Sequence, residues 1–133
     1  LKAQFLLENG NANEALKYYK RALELEPNQV LLNIGYARAL NSVGEYKSSV
    51  NLLKNVYVKD PNNGRLLREL ATAYSQIGET GWASLLTAER YALYGKFKDA
   101  MHHAKRALGT SLPGSIEWLK AEDLILDIKK MGK

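Results

Sequence analysis

The stretch VLLNIGYARALNSVGEYKSSVNLLKNVYVKDPNN, residues 30–63, decides the fold. Tyr36, Ala37 and Leu40 recur at helical spacing, and Gly44 follows them. Tyr46, Ser49, Leu53 and Val56 make a second stripe, which Pro61 closes. Apolar residues three and four apart lie on one face of a helix. Glycine after such a stripe supplies the left-handed residue that ends a helix. Proline cannot continue a helix at all. The stretch is therefore two helices joined by a tight turn. Outward from it, the same punctuation returns at a spacing of 34 residues. Glu26-Pro27-Asn28 recurs as Asp60-Pro61-Asn62, and Gly10, Gly44 and Gly78 share the period. So do Ala3, Ala37 and Ala71, and Leu6, Leu40 and Tyr74.

The flanking segments repeat the pattern. Ala15, Leu16, Tyr19, Ala22 and Leu23 form one stripe, and Leu67, Leu70, Ala71, Tyr74 and Ile77 another. No segment alternates with period two, so no strand is expected. The reading gives eight helices over 1–9, 12–26, 30–43, 46–59, 64–77, 81–94, 97–109 and 115–131. Connections of two to five residues make neighbours antiparallel. Ala15, Ala37, Ala71, Ala100 and Ala104 allow close approach, while Tyr19, Tyr36, Tyr46, Tyr74 and Phe97 fill the gaps. The expected class is all-α: an α-solenoid of stacked antiparallel helix pairs, closed by a capping helix. It forms one domain, 1–133, made of a truncated repeat (1–29), a full repeat (30–63), an irregular repeat (64–94) and a final pair with its cap (95–133).

The period slips after Gly78. The next glycine of the pattern, Gly95, comes half a period later, and helix 81–94 reads like the first helix of a pair in the place of a second. It is expected to pack on 64–77. Pro113-Gly114 breaks the chain again, and Ser115 is the expected N-cap of the last helix. There Trp118, Ala121, Leu124, Ile125 and Ile128 form the apolar side, and Trp118 is read as core.

The small, aromatic, glycine, alanine and proline positions of these units resemble the tetratricopeptide repeat. The resemblance implies helix pairs and a concave surface that holds a peptide or helix of a partner. Carried over by register, the groove candidates are Gln4 and Glu8, then Leu31, Ile34, Arg38 and Asn41, then Arg65, Arg68, Thr72 and Ser75. The arginines would pair with a partner's carboxylates, and Leu31 and Ile34 would supply apolar contact. A solvated surface is the competing reading of each arginine. The carboxylate clamp of chaperone-binding members is incomplete, because Gly35 stands where it needs asparagine and Glu69 where it needs a basic residue. The order Gly81-Trp82-Ala83-Ser84, Ala88-Glu89, Gly95, Ala100, Ala104, Ala107-Leu108, Pro113-Gly114-Ser115, Trp118 and Ala121 resembles the tail of periplasmic zinc metallopeptidases of the β-barrel assembly-enhancing protease type. That resemblance implies a bacterial, periplasmic parent whose protease domain lies upstream and is itself a docking partner.

Composition bounds the rest. The chain has 133 residues, 46% hydrophobic and 25% charged, which suits a folded domain rather than a disordered tail. No apolar run reaches the roughly 18 residues of a membrane span. With no cysteine, disulfides, thiolate metal sites and a cysteine nucleophile are excluded. The net charge of +5 is spread, with 8 basic and 6 acidic residues in 1–63 and 11 and 8 in 64–133. A nucleic-acid binder concentrates its charge, so none is expected. The chain begins at Leu1 without a leader pattern, and is read as a processed or excised piece, so that any targeting signal would lie upstream.

No catalytic constellation is present. There is no His-Glu-x-x-His, phosphate loop or Gly-x-Ser-x-Gly elbow. His102 and His103 are adjacent and cannot share one metal from a helix face. Asp99 and His103 are four apart, read as a solvated pair. Lys96, Lys98, Lys105 and Arg106 make 97–109 the most basic helix, a solvated face by default and an anionic-partner surface otherwise. Tyr18, Tyr57 and Tyr94 lie off the packing positions and are expected at the surface. The functional expectation is a non-catalytic protein-interaction module with no cofactor and no metal. A free-standing cytoplasmic scaffold or co-chaperone-like adaptor is the first alternative. The second is self-association, as a homodimer through the truncated N-terminal end.

Overall fold

A computed structural model describes residues 2–8 and 10–132, apart from the side chains of Leu7 and Glu8. Glu8 as a groove contact and Leu1 as part of a dimerising end thus fall outside the described residues. Among the described residues there are eight helices: α1 (Lys2–Glu8), α2 (Ala12–Leu25), α3 (Val30–Ser42), α4 (Tyr46–Lys59), α5 (Gly64–Gln76), α6 (Thr80–Leu93), α7 (Phe97–Thr110) and α8 (Ile116–Met131). None is long and apolar enough to cross a membrane. From α1 to α4, and again from α5 to α8, sequential helices pack as antiparallel neighbours, the pairing of α-solenoid repeats.

The glycine punctuation acts as expected. Gly44, Gly78 and Gly95 take φ of 83°, 84° and 75°. The N–H after each donates to the carbonyl five residues back: Glu45 to Leu40, Glu79 to Tyr74 and Lys96 to Tyr91, at 2.8, 2.9 and 2.9 Å. This is the six-to-one closure that ends a helix on a left-handed residue. Ser115 caps α8 by accepting from the Trp118 N–H. Asn63 caps α5, accepting from Arg65 and Leu66.

The chain divides into two compact units, Leu1–Pro61 and Asn62–Lys133, with the break at the proline of the central repeat. In the first, Ala3, Leu6, Ala15, Tyr19, Leu32 and Ala39 form one cluster, with Leu16, Tyr18, Ala22 and Tyr36 packed against it. Tyr57, expected at the surface, is buried. Asn33 is buried too, and its Nδ2 donates to the carbonyls of Pro27 and Gln29 at 3.1 and 2.9 Å. One side chain thus pins the α2–α3 turn to the first turn of α3.

In the second unit, α6 packs on α5 and α7 and touches α8. Helix 81–94 is therefore where the slipped repeat placed it, against 64–77. Its Leu85 and Leu86 are fully buried, with Ala88 beside them. Ala107 and Ala121 meet Leu85 from α7 and α8, and Trp82 and Leu108 lie against that cluster. Trp118 is half-buried, while Phe97, read as a gap filler, is 37% exposed. The outer side of α8 mixes charge with apolar residues: Ile116, Leu119 and Leu126 are exposed beside Lys120, Glu122 and Asp123.

Candidate functional site

A groove of about 610 Å³ lies between α5, α6 and α7 of the second unit. Helical spacing builds it. Arg68, Ala71, Thr72 and Ser75 are one face of α5, and Thr80, Ala83, Thr87 and Tyr91 are one face of α6, which Tyr94 extends from the helix end. Lys96, from the α6–α7 turn, and His103 and Arg106, from α7, line it as well. Thr72 and Thr87 donate their hydroxyls to the carbonyls of Arg68 and Ala83, at 2.9 and 2.8 Å. That fixes their methyl groups on the helix surface.

The charges of the groove are unequal in freedom. Arg68 donates from Nε and Nη2 to Glu69 Oε2, at 3.3 Å each, and Glu69 is itself buried. Arg90 donates from Nε to the Gly64 carbonyl at 3.2 Å, and its guanidinium stands 5.3 Å over the Tyr94 ring. Two anchors of opposite kind hold this side chain still. The Tyr91 and His103 rings stack at 5.3 Å with 12° between their planes. Burial pushes His103 below its ordinary pKa, and the His102 and Arg106 charges push the same way, against Asp99. His103 is thus a half-buried member of the groove wall, with the exposed Asp99 near enough to act on its charge. Among the described residues no three His, Asp or Glu side chains converge to hold a metal ion.

The pKa shift has a sign that can be measured. Folding favours neutral His103, so stability is full above the unfolded-state value of about 6.5. It falls as pH drops from there through the lower folded-state value. We expect His103→Gln to remove this part of the acid sensitivity, seen as a flatter melting temperature between about pH 7 and pH 5. Parallel pH profiles of the two proteins would overturn the assignment.

The residues expected from the sequence divide. Arg68, Thr72 and Ser75 line the groove, and Arg65 is exposed without lining it. In the first unit Leu31 is 58% exposed and Arg38 half-buried. Ile34 and Asn41 are 5% and 8% exposed, correcting their placement as surface contacts, because the core side of α3 takes them. Arg90, Lys96, Tyr91, Tyr94 and His103 were not singled out as groove residues. The register was carried only through the first helices of the units, and it ran out where the period slips. The one available signal was the basic stretch of 97–109. Of its basic residues Arg106 lines the groove while Lys98 and Lys105 do not, and Lys96, just before it, lines the groove as well.

Two glycines shape the helices around the groove and its counterpart unit. A Cβ on Gly35 would come within 2.5 Å of the Tyr19 ring, and Tyr19 is 4% exposed. A Cβ on Gly64 would strike the Tyr94 hydroxyl, but Tyr94 is 55% exposed and can swing away. Alanine in a helix gains about 1 kcal/mol over glycine, while overpacking costs about 1–3 kcal/mol. We expect Gly35→Ala to lose about 1 kcal/mol net. Gly64→Ala should stay within about 0.5 kcal/mol of the parent. Urea titration checks both, and equal losses would refute the contrast. The same clash shows why the clamp asparagine has no room at position 35.

Comparison with known proteins agrees with the helical fold. Residues 6–53 match the tetratricopeptide repeat family model. A curated relative, tetratricopeptide repeat protein 8 of Caenorhabditis elegans, is 40% identical over 60 residues, which are 45% of this chain but only 12% of that protein. Two solved structures of MamA superpose with TM-scores of 0.63 and 0.62 at 16% and 18% identity. They cover 98% and 96% of this chain, and 95% and 82% of theirs. MamA from residue 41 to its end, from Desulfovibrio magneticus RS-1, superposes at 0.55 with 16% identity, covering 98% and 90%. At these identities the likeness is one of fold. The 34-residue punctuation and the helix pairs agree with the tetratricopeptide repeat match, which spans residues 6–53 of this chain.

Proposed function

We propose that the chain is a non-catalytic interaction module that holds a peptide segment of a protein partner in the groove between α5, α6 and α7. The observation that carries this reading is the groove itself. About 610 Å³ is open along the faces of three helices, lined by fixed hydroxyls, two tyrosine rings and small alanines. That is room for an extended segment whose backbone needs polar partners and whose side chains need shallow contact. The test is peptide selection from a random library against the parent and Thr72→Trp. Thr72 is exposed on the groove face, so the indole obstructs the groove without entering the core. Peptides held by the parent and released by the variant support the reading. Peptides held equally by both place the site elsewhere.

A second reading concerns the parent protein, and the residue order from Gly81-Trp82 to Trp118 favours it. In this reading the module is the tail of a periplasmic zinc metallopeptidase and positions substrate or docks on the protease domain. Sequencing the gene upstream of Leu1 decides it. A signal peptide followed by a His-Glu-x-x-His helix supports the tail, and an upstream region with neither overturns it.

A further inference from the structure

We propose that the occupant of the α5–α6–α7 groove is an acidic peptide segment bearing several spaced Asp or Glu side chains, with Arg90 as its principal anchor. The proposal rests on the reading of this groove as a peptide site and adds the chemistry of the peptide. Arg68, Arg90, Lys96 and Arg106 all line the groove, and none of its lining residues is a carboxylate. Yet residues 64–133 contain 8 acidic side chains, so the fold has sorted the charges. A cleft lined by one sign of charge with protein walls focuses its field and draws in the opposite sign.

Arg90 stands apart from the other three by preorganisation. Its Nε is already spent on the Gly64 carbonyl and its plane rests on Tyr94, so its orientation is set before any ligand arrives. The terminal nitrogens of the guanidinium remain for a two-point contact with a carboxylate, the geometry that suits arginine. A held side chain loses little further entropy on binding. Arg68 differs, because Glu69 must share it with any ligand. Gly64 contributes by omission, since any Cβ there would displace the Tyr94 hydroxyl and with it the support of Arg90.

The cations come from α5, α6, the following turn and α7. One terminal carboxylate could satisfy only one of them, whereas carboxylates spaced along an extended segment meet them in turn. The tyrosines and alanines between them give the peptide backbone a neutral floor.

Fluorescence anisotropy tests this with three labelled peptides of equal length. One is rich in Asp and Glu, the second is its Asn and Gln counterpart, and the third is that neutral peptide with a free C-terminal carboxylate. We expect the acidic peptide to bind at least about tenfold more tightly than either other. Its affinity should fall as salt rises from about 0.05 to about 0.5 M, because screening shortens the reach of the charges. Lys96 and Arg106 are exposed, so K96E/R106E keeps the helical circular dichroism. It should lose about tenfold or more in affinity. Arg90→Lys keeps the charge but loses the fork, and should weaken binding more than Arg68→Lys. Equal binding of the neutral peptide, no loss in K96E/R106E, or equal effects at Arg68 and Arg90 each overturn the proposal. If neutral peptides bind and Thr72→Trp expels them, the acidic chemistry fails and the groove reading stands. If Thr72→Trp leaves acidic-peptide binding intact, both fail.

Discussion

Leu85→Ala is expected to destabilise the unit of residues 62–133 by about 3–4 kcal/mol. Leu85 is fully buried in α6, and its partners are Ala107 from α7 and Ala121 from α8. Those partners explain why the cost should sit in the upper part of the usual range. An alanine has no side chain to swing into the space left behind, and its Cβ moves only if its helix moves. The cavity would therefore stay open, and both the transfer loss and the lost dispersion contacts would be felt. Trp82 and Leu108 border the cluster and could relax only by leaving their own contacts. A domain holds about 5–15 kcal/mol in total, so a loss of this size is a large part of it. Denaturant titration gives the magnitude, and amide exchange locates it as faster exchange in α6, α7 and α8. Leu126→Ala is the control. Leu126 is 50% exposed on α8, and its replacement should cost well under about 1 kcal/mol. Equal losses at the two positions would show that the α6–α7–α8 contact does not hold this unit together.

Asn33→Asp is expected to cost about 3 kcal/mol at neutral pH, although it changes one group for another of the same shape. The Asn33 amide is 7% exposed, and its two N–H bonds end on the Pro27 and Gln29 carbonyls. A carboxylate offers no donor, so two carbonyl dipoles would face a buried negative charge. Protonation restores one donor. The folded-state pKa of the new Asp should therefore lie above its unfolded value of about 3.9. A raised acid pKa means that the favourable, protonated contact is fully present only below the unfolded value and is lost as pH rises through the folded one. The deficit against the parent should shrink as pH is lowered from 7 toward 4. Asn33→Ala should show a smaller loss, of about 2 kcal/mol for two hydrogen bonds, and no such pH dependence. Stability curves of the three proteins against pH check the sign. A deficit in the Asp variant that is constant with pH would refute the buried pair of carbonyl bonds.

Much of this protein was legible in its sequence because its signals are local. Helix ends are written by residues that act on their own backbone. Gly44 and Gly78 close helices because a left-handed residue costs glycine least, and Ser115 caps α8 because its hydroxyl reaches the third N–H along. The stripes of Tyr19, Leu53 and Leu70 lie on one helix side each, and all three are buried. These effects span a few residues and repeat every 34, so counting suffices to find them. The tertiary structure alone decided which face of each helix is left open. Ile34 and Arg38 are four apart on α3, yet one is buried and the other half-exposed, because what lies across from each comes from other helices. The groove shows this most plainly. Arg68 and Arg90 look alike in the sequence, but Glu69 engages the first, while Gly64, distant in the chain, fixes the second. A side chain's freedom to meet a partner depends on neighbours that are near in space and far in sequence, and no periodicity encodes them.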